Sequence, residues 1–280
     1  MRLTANRIGC RFKSFIITRW GDVLLNDDDS YDDIINNHKG KYDLSENMQD
    51  LVCPRNFVRA EIFPPYGDVN YPISKWIFSL NEWSVPMWFK SGYKENAYKS
   101  LRSYIKDKSL VGKKIGILSN KNIIYLKNCR VGFVSDSNVK SICGNSKIDL
   151  INSSAIEKIS GNVKINRIIN SQVGTIQNNV WIKDLGLGNV VGHIFNNARV
   201  DCGSCFIHYM HDKSKIKDFR VGHIGQMCDD SFIYRAFRSH VCDMQNNSSI
   251  NINENSVLIS NHKLKNCKTK DGGIFIVKKA

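Results

Sequence analysis

Aliphatic residues return along the second half of the chain at intervals of eight and nine, so that every seventeenth position repeats. From Val131 the column runs through Ile148, Ile165, Ile182, Arg199, Ile216, Ile233 and Ile250, with Val200 beside its one non-aliphatic member. A second column starts at Val139 and continues through Ile156, Val173, Val190, Ile207, Ile224, Val241 and Leu258. Three residues further on stand Ile142, Ile159, Ile176, His193, Met210, Met227 and Met244. Small polar residues keep the same step. Asn128, Asn145, Asn162, Asn179 and Asn196 precede the first column, and Ser137, Ser154, Ser171, Gly188, Cys205, Gly222, Ser239 and Ser256 precede the second.

Two short aliphatic stretches per repeat, each followed by Asn or Ser, describe one coil of a β-solenoid. Each stretch supplies a strand, and the Asn or Ser side chain bonds neighbouring backbone in the turn. Stacked coils would also let Asn amides bond up and down a column, as in cross-β ladders. A helical solenoid needs longer repeats and a 3.6-residue period, which the chain lacks. The fold class is therefore mainly β, with 17-residue coils. Residues 131–260 hold about seven and a half of them, a rod on the order of 36 Å long at about 4.8 Å per coil. "GKKIGILSNKNIIYLKNC" before them adds one degenerate coil.

Residues 1–110 do not share the period. "DDDSYDDIINN" reads as an acidic loop or helix start, and "NFVRAEIFPPYGDVNYPISKWIFSL" as a strand, a turn and an extended segment. "KENAYKSLRSYIKDKSL" is a predicted helix with Ala97, Leu101 and Ile105 on one face. Trp76, Trp83 and Trp88 are expected in the core of a small α+β domain. A solenoid exposes an unpaired edge at its end, so residues 1–110 are expected to cap residues 111–280.

Within these residues, "FVRAEIFPPYGDVNYPISKWIF" resembles a segment of uncharacterised bacterial and phage proteins. In those, a small N-terminal domain of the form VRAEV-x-PP-x-GD precedes Val-rich repeats. The likeness covers residues 5–105, and the Lys/Asn/Ile bias is similar to that of Bacteroidales and their phages. It implies a mobile-element setting and carries no catalytic residues with it.

Charge changes the picture in one half only. Residues 1–110 hold 16 Lys/Arg against 14 Asp/Glu, whereas residues 111–280 hold 24 against 12, so nearly all of the net +14 lies on the repeats. Such an excess suits an anionic partner, although an AT-rich genome inflates lysine as well. The only apolar island in residues 1–20 is too short for a signal peptide's hydrophobic segment, and the nine cysteines form no disulfide framework. The expected setting is a cytoplasm (a host's, or a virion, if the chain is phage-encoded) with reduced thiols.

Three candidate chemistries fall on the repeats. Cys202, Cys205, His208 and His211 have zinc-like spacing, but Cys205 falls in the Ser/Gly turn column and Cys202 in the column of Ile151, Ile168 and Leu185, so no metal is expected there. "VVGHIF" and "RVGHIG" resemble the hexapeptide of left-handed β-helix acyltransferases, whose six-residue period this chain does not keep. Asp184, Asp201 and Asp218 stack at consecutive coils as a sugar-cleaving or calcium-binding trio would, with Arg167 and Arg235 in the same column to pair them. No P-loop, nucleotide-binding glycine fingerprint, HExxH or GxSxG occurs.

What remains is a surface. If Ile148 and its column face inward, the residues beside them face out. Arg130, Lys147, Lys164, Lys183, Lys215 and Lys217 stand on that first face with Trp181, Phe232 and Tyr234, and Asp149 is its one acid. The second face carries Lys140 and Glu157, then His208, His223 and His240. The expected function is non-enzymatic: a rigid basic face presented to nucleic acid or another acidic surface. The alternatives are a virion or appendage rod, and an enzyme with its site in residues 1–110. No cofactor and no membrane partner are expected; the open end of the stack would also take a second copy of the chain.

Overall fold

In a computed structural model, residues 12–26, 30–44, 56–69, 71–82, 84–260 and 268–277 are described. They divide into two compact units, Met1–Asp107 and Lys108–Ala280.

The first unit is built on a four-stranded antiparallel sheet. Its strands are β1 (Lys13–Thr18), β2 (Val23–Leu24), β3 (Phe57–Phe63) and β4 (Ile77–Leu80), in the order β2-β1-β3-β4. β1, "KSFIIT", is buried along its whole length. Helix α1 (Tyr31–His38) begins where Ser30 accepts a hydrogen bond from the Asp33 amide at 3.3 Å, and Asp32 and Asp33 complement its N-terminal dipole. Its Ile34 packs with Ile16, Leu24, Leu44 and Phe57. Helix α2 (Ser91–Asp107) buries Ala97, Leu101 and Ile105, the three residues expected on one face. Trp76 lies in the core, edge-on to Phe12 at 4.8 Å, and donates through Nε1 to the Tyr71 carbonyl. Trp88 is half-buried against Tyr93, and Trp83 lies outside the described residues.

The second unit is a β-solenoid of about nine coils spaced about 17 residues apart. Two parallel sheets of ten and eleven strands enclose one aliphatic core, and successive coils supply neighbouring strands of each sheet. At about 4.8 Å per coil the stack is about 43 Å long. Most strands have five or six residues, and those of five bury the second and the fifth. Ile148 thus pairs with Val131 on one side and Ile165 on the other, and Ile156 with Val139 and Val173.

The corners explain the Asn and Ser. Asn178, Asn196, Asp212, Asp229 and Asn246 have φ between 56° and 64°, and Gly161 takes the same corner at 88°. Glycine, and to a lesser degree Asn and Asp, tolerate this left-handed region. On the outside, the amides of Asn162 and Asn179 each donate to the Asn one coil earlier, Asn145 and Asn162, at 3.2 Å. On the inside, Ser154 Oγ accepts from the Ser137 amide at 3.3 Å and Ser171 Oγ from the Ser154 amide at 3.2 Å. These coils therefore tie their turns to one another.

One stretch departs from the seventeen-residue columns. The corner between Leu185 and Val191 has five residues where the corner between Ile151 and Ile156 has four, and the next corner, between Gly203 and Ile207, has three. The insertion and the deletion cancel, so residues 189–204 are displaced by one position relative to the fixed period. Val191, not Val190, pairs with Val173 and Ile207. Ile194, not His193, follows Ile176, and Val200, not Arg199, follows Ile182. Gly203 takes the place expected for Cys202, Asn189 that expected for Gly188, and Asn197 that expected for Asn196. The exposures agree: Val191, Ile194 and Val200 are fully buried, whereas Val190 is 40% exposed. Asn128 departs for a similar reason. It takes positive φ as Gly144 does, and Lys127 before it pairs with Cys143, so it shares a column with Gly144 and not with Asn145. Among the described residues, no helix is long and apolar enough to cross a membrane.

Candidate functional site

Nine of the ten strands of the ten-stranded sheet begin with an outward residue just before an inward aliphatic one. In parallel register these residues stack as Lys114, Arg130, Lys147, Lys164, Trp181, Arg199, Lys215, Phe232 and Ser249. Six of the nine are cations. Arg130, Lys147, Lys164, Lys215, Trp181 and Phe232 were expected in this column. Lys114 and Arg199 join it, and Arg199 was hidden by its place in the apparent aliphatic column. Its neighbour Val200 was the signal that would have found it.

Lys183, Lys217 and Tyr234 fall in the next outward column, two residues along each strand. Lys183 is therefore beside the stripe and not in line with it. The same slip brings Asp201 into this second column, so Asp149 is not the one acid on the face. Asp201 orders the middle of the stripe. It accepts from Trp181 Nε1 at 2.8 Å and pairs with Arg199 at 2.8 Å, while Lys164 Nζ lies 5.6 Å from the centre of the Trp181 ring.

The expected trio of aspartates is not formed. Asp184 pairs in register with Cys202, and Cys202 with Asp218, leaving Asp201 in the adjacent column. Each acid instead meets an arginine: Arg167 with Asp184 at 3.0 Å, Arg199 with Asp201 at 2.8 Å, and Arg220 with Asp218 at 2.6 Å. Arg235 pairs with Glu254 at 2.6 Å, so four carboxylates of this sheet meet an arginine, while Asp149 accepts from the Asn166 side-chain amide at 2.9 Å. Among the described residues, Lys147, Lys164, Lys183, Lys215 and Lys217 have no carboxylate within 4.0 Å. Arg199, Lys215, Lys217, Phe232 and Tyr234 line a shallow groove of about 250 Å³, with Ile216 at its floor.

Cys202, Cys205, His208 and His211 do not converge. Cys202 lies on the ten-stranded sheet and His208 on the eleven-stranded one, in strands Arg199–Gly203 and Phe206–Met210. Cys205 sits buried at the corner between them, where loss of hydration pushes its thiol up to about 12. Burial raises the Cys202 thiol as well.

The second face is ordered by ring stacking from coil to coil. His193 lies on Tyr209 at 4.9 Å, His211 on Phe195 at 4.9 Å, and His223 on Phe206 at 4.8 Å. Burial holds the imidazoles of His193 and His223 below the usual histidine range, and neighbouring histidines lower them further. Lys140 pairs with Glu157 at 2.8 Å on this face. No family model, curated protein or solved structure matches the chain.

Proposed function

We propose that the protein is a non-enzymatic binding protein whose solenoid presents its lysine stripe to nucleic acid, single strands above all. The observation that carries this reading is the division of labour among the cations: Arg167, Arg199, Arg220 and Arg235 each pair with an acid of the sheet, whereas Lys147 and Lys164 on adjacent coils, and Lys183, Lys215 and Lys217 further along, are left to meet an external anion. Trp181 and Tyr234, 38% and 47% exposed, add flat surfaces beside those lysines on which unpaired bases can stack. The stacked strands fix the backbone from which the lysines project, so no main-chain ordering is needed on binding, which lowers the entropic cost of association. The setting that fits is a phage or other mobile element, in a host cytoplasm or a virion, and it rests on the N-terminal likeness.

The test is fluorescence anisotropy of a labelled oligonucleotide across a salt series. Changing Lys147, Lys164, Lys183 and Lys215 together to Glu should abolish binding. Neutralising the four as Gln should lower the salt slope for single strands by about 3, since each released contact contributes roughly 0.7. Changing Lys263, Lys265, Lys268 and Lys270 to Glu, the same number of charges, should weaken binding far less. Trp181→Ala should weaken single strands more than duplex, because only unpaired bases reach its face. Equal loss in both quadruple variants would reduce the stripe to ordinary surface charge, and no salt-dependent binding by the native chain would favour a purely structural rod.

A further inference from the structure

The eleven-stranded sheet carries a second feature, unrelated to the lysine stripe. His223 and His240 open two adjacent strands, His223–Met227 and His240–Met244, and pair directly in parallel register. Cys242 lies two residues beyond His240 on the same strand, so its side chain emerges on the same face. The Cys242 sulfur is 3.1 Å from His223 Nε2 and 3.9 Å from His240 Nδ1, and the three donor atoms lie within 4.8 Å of one another. A tetrahedral zinc ion with bonds of about 2.3 Å to sulfur and about 2.0 Å to nitrogen needs a sulfur-to-nitrogen separation of about 3.5 Å. The two observed distances straddle that value.

The surroundings favour the same reading. Phe206 stacks on the His223 ring at 4.8 Å with an interplanar angle of 3°, which limits the tilt of the imidazole. Level with Cys242 on the preceding coil stands Gly225, so no side chain rises beside the sulfur from that coil. A Cβ there would come within 2.7 Å of the His208 carbonyl oxygen. All three residues are half-buried, open enough for an ion to enter and desolvated enough for it to be held.

We infer that His223, His240 and Cys242 form a binding site for one divalent transition-metal ion of zinc-like preference, with a fourth position open to solvent or an added ligand. On binding, the Cys242 S–H bond breaks, its proton passes to solvent, and the sulfur lone pair forms the bond to the metal while both imidazoles bind as neutral donors. Two nitrogens and a thiolate select zinc or cobalt over magnesium and calcium, which take oxygen. Among the described residues one other trio stands close enough, His211, Asp212 and Asp229; it offers no sulfur and includes an exposed carboxylate.

Cobalt(II) titration of the whole metal-free chain tests this, because a cysteine ligand produces thiolate-to-cobalt absorption in the near ultraviolet. One equivalent should give that band, and added zinc should bleach it. Cys242→Ser should abolish it, and His223→Gln and His240→Gln should each weaken cobalt binding at least about tenfold, as loss of even an outer partner does. Cys202→Ser, Cys228→Ser and His211→Ala should leave the band unchanged. The inference is overturned if one equivalent of cobalt gives no thiolate band, if the band survives Cys242→Ser, or if it is lost in Cys202→Ser or Cys228→Ser. Circular dichroism of each variant checks folding; should Cys242→Ser fail to fold, the two histidine variants decide the matter by their affinity.

Discussion

The displaced stretch between residues 189 and 204 makes a sharp claim about two adjacent valines. A strict 17-residue period puts Val190 in the core; the structure puts Val191 there, fully buried, and leaves Val190 40% exposed. Val191→Ala removes two buried methyl groups, worth about 0.8 kcal/mol each. The walls around it are backbone and aliphatic side chains of coils already tied on both sides, so a cavity of about 40 Å³ would persist and cost about 1 kcal/mol more. The expected loss is roughly 2–3 kcal/mol. Val190→Ala should change stability by no more than about 0.5 kcal/mol. Urea unfolding followed by far-ultraviolet circular dichroism measures both, read only where the two variants share one slope, because weakened coils of a repeat stack can open separately. A Val190→Ala loss equal to or larger than that of Val191→Ala would refute the slip and restore the uninterrupted period.

Two further outcomes follow from the same geometry. Asn189 is buried at the shifted corner, accepts from the Ser171 amide at 2.9 Å and donates to the carbonyls of Ile168 and Gly186. Asn189→Ala should cost about 2–3 kcal/mol by stranding those groups, and Asn189→Ser should recover part of it, since a hydroxyl does this work on other coils; a loss under about 0.5 kcal/mol in the alanine variant would contradict the ladder. Stability should also fall on acidification. Burial first, then neighbouring histidines, lower His193 and His223 from 6.5, so the unfolded chain binds more protons; their contribution is complete above about 6.5 and declines as pH falls toward the folded values. Thermal melts in that window should show a shallower pH slope in a His193→Gln, His223→Gln variant, and an unchanged slope would remove these two rings as its source.

Much of the architecture was present in the order of residues alone. The coil, its two strands and its Asn and Ser corners were legible because every coil occupies nearly the same environment: an inward Ile or Val and a corner that needs φ above zero recur wherever the stack continues. The exposed lysines followed from the residues beside Ile148 and Ile165 for the same reason. What a fixed step could not carry was lateral alignment through a change of coil length. Gly186 to Val190 absorb one residue and Ser204 to Phe206 give it back, and pairing in the sheets, not the count, decides that Arg199 and Asp201 face out while Val200 faces in. Corners tolerate such changes because they lie at the surface, whereas the inward column does not, since a one-residue slip reverses which side chains meet the core. The trio of His223, His240 and Cys242 is likewise a product of stacking: two of its members are seventeen residues apart along the chain and become neighbours only because the coils pair in register.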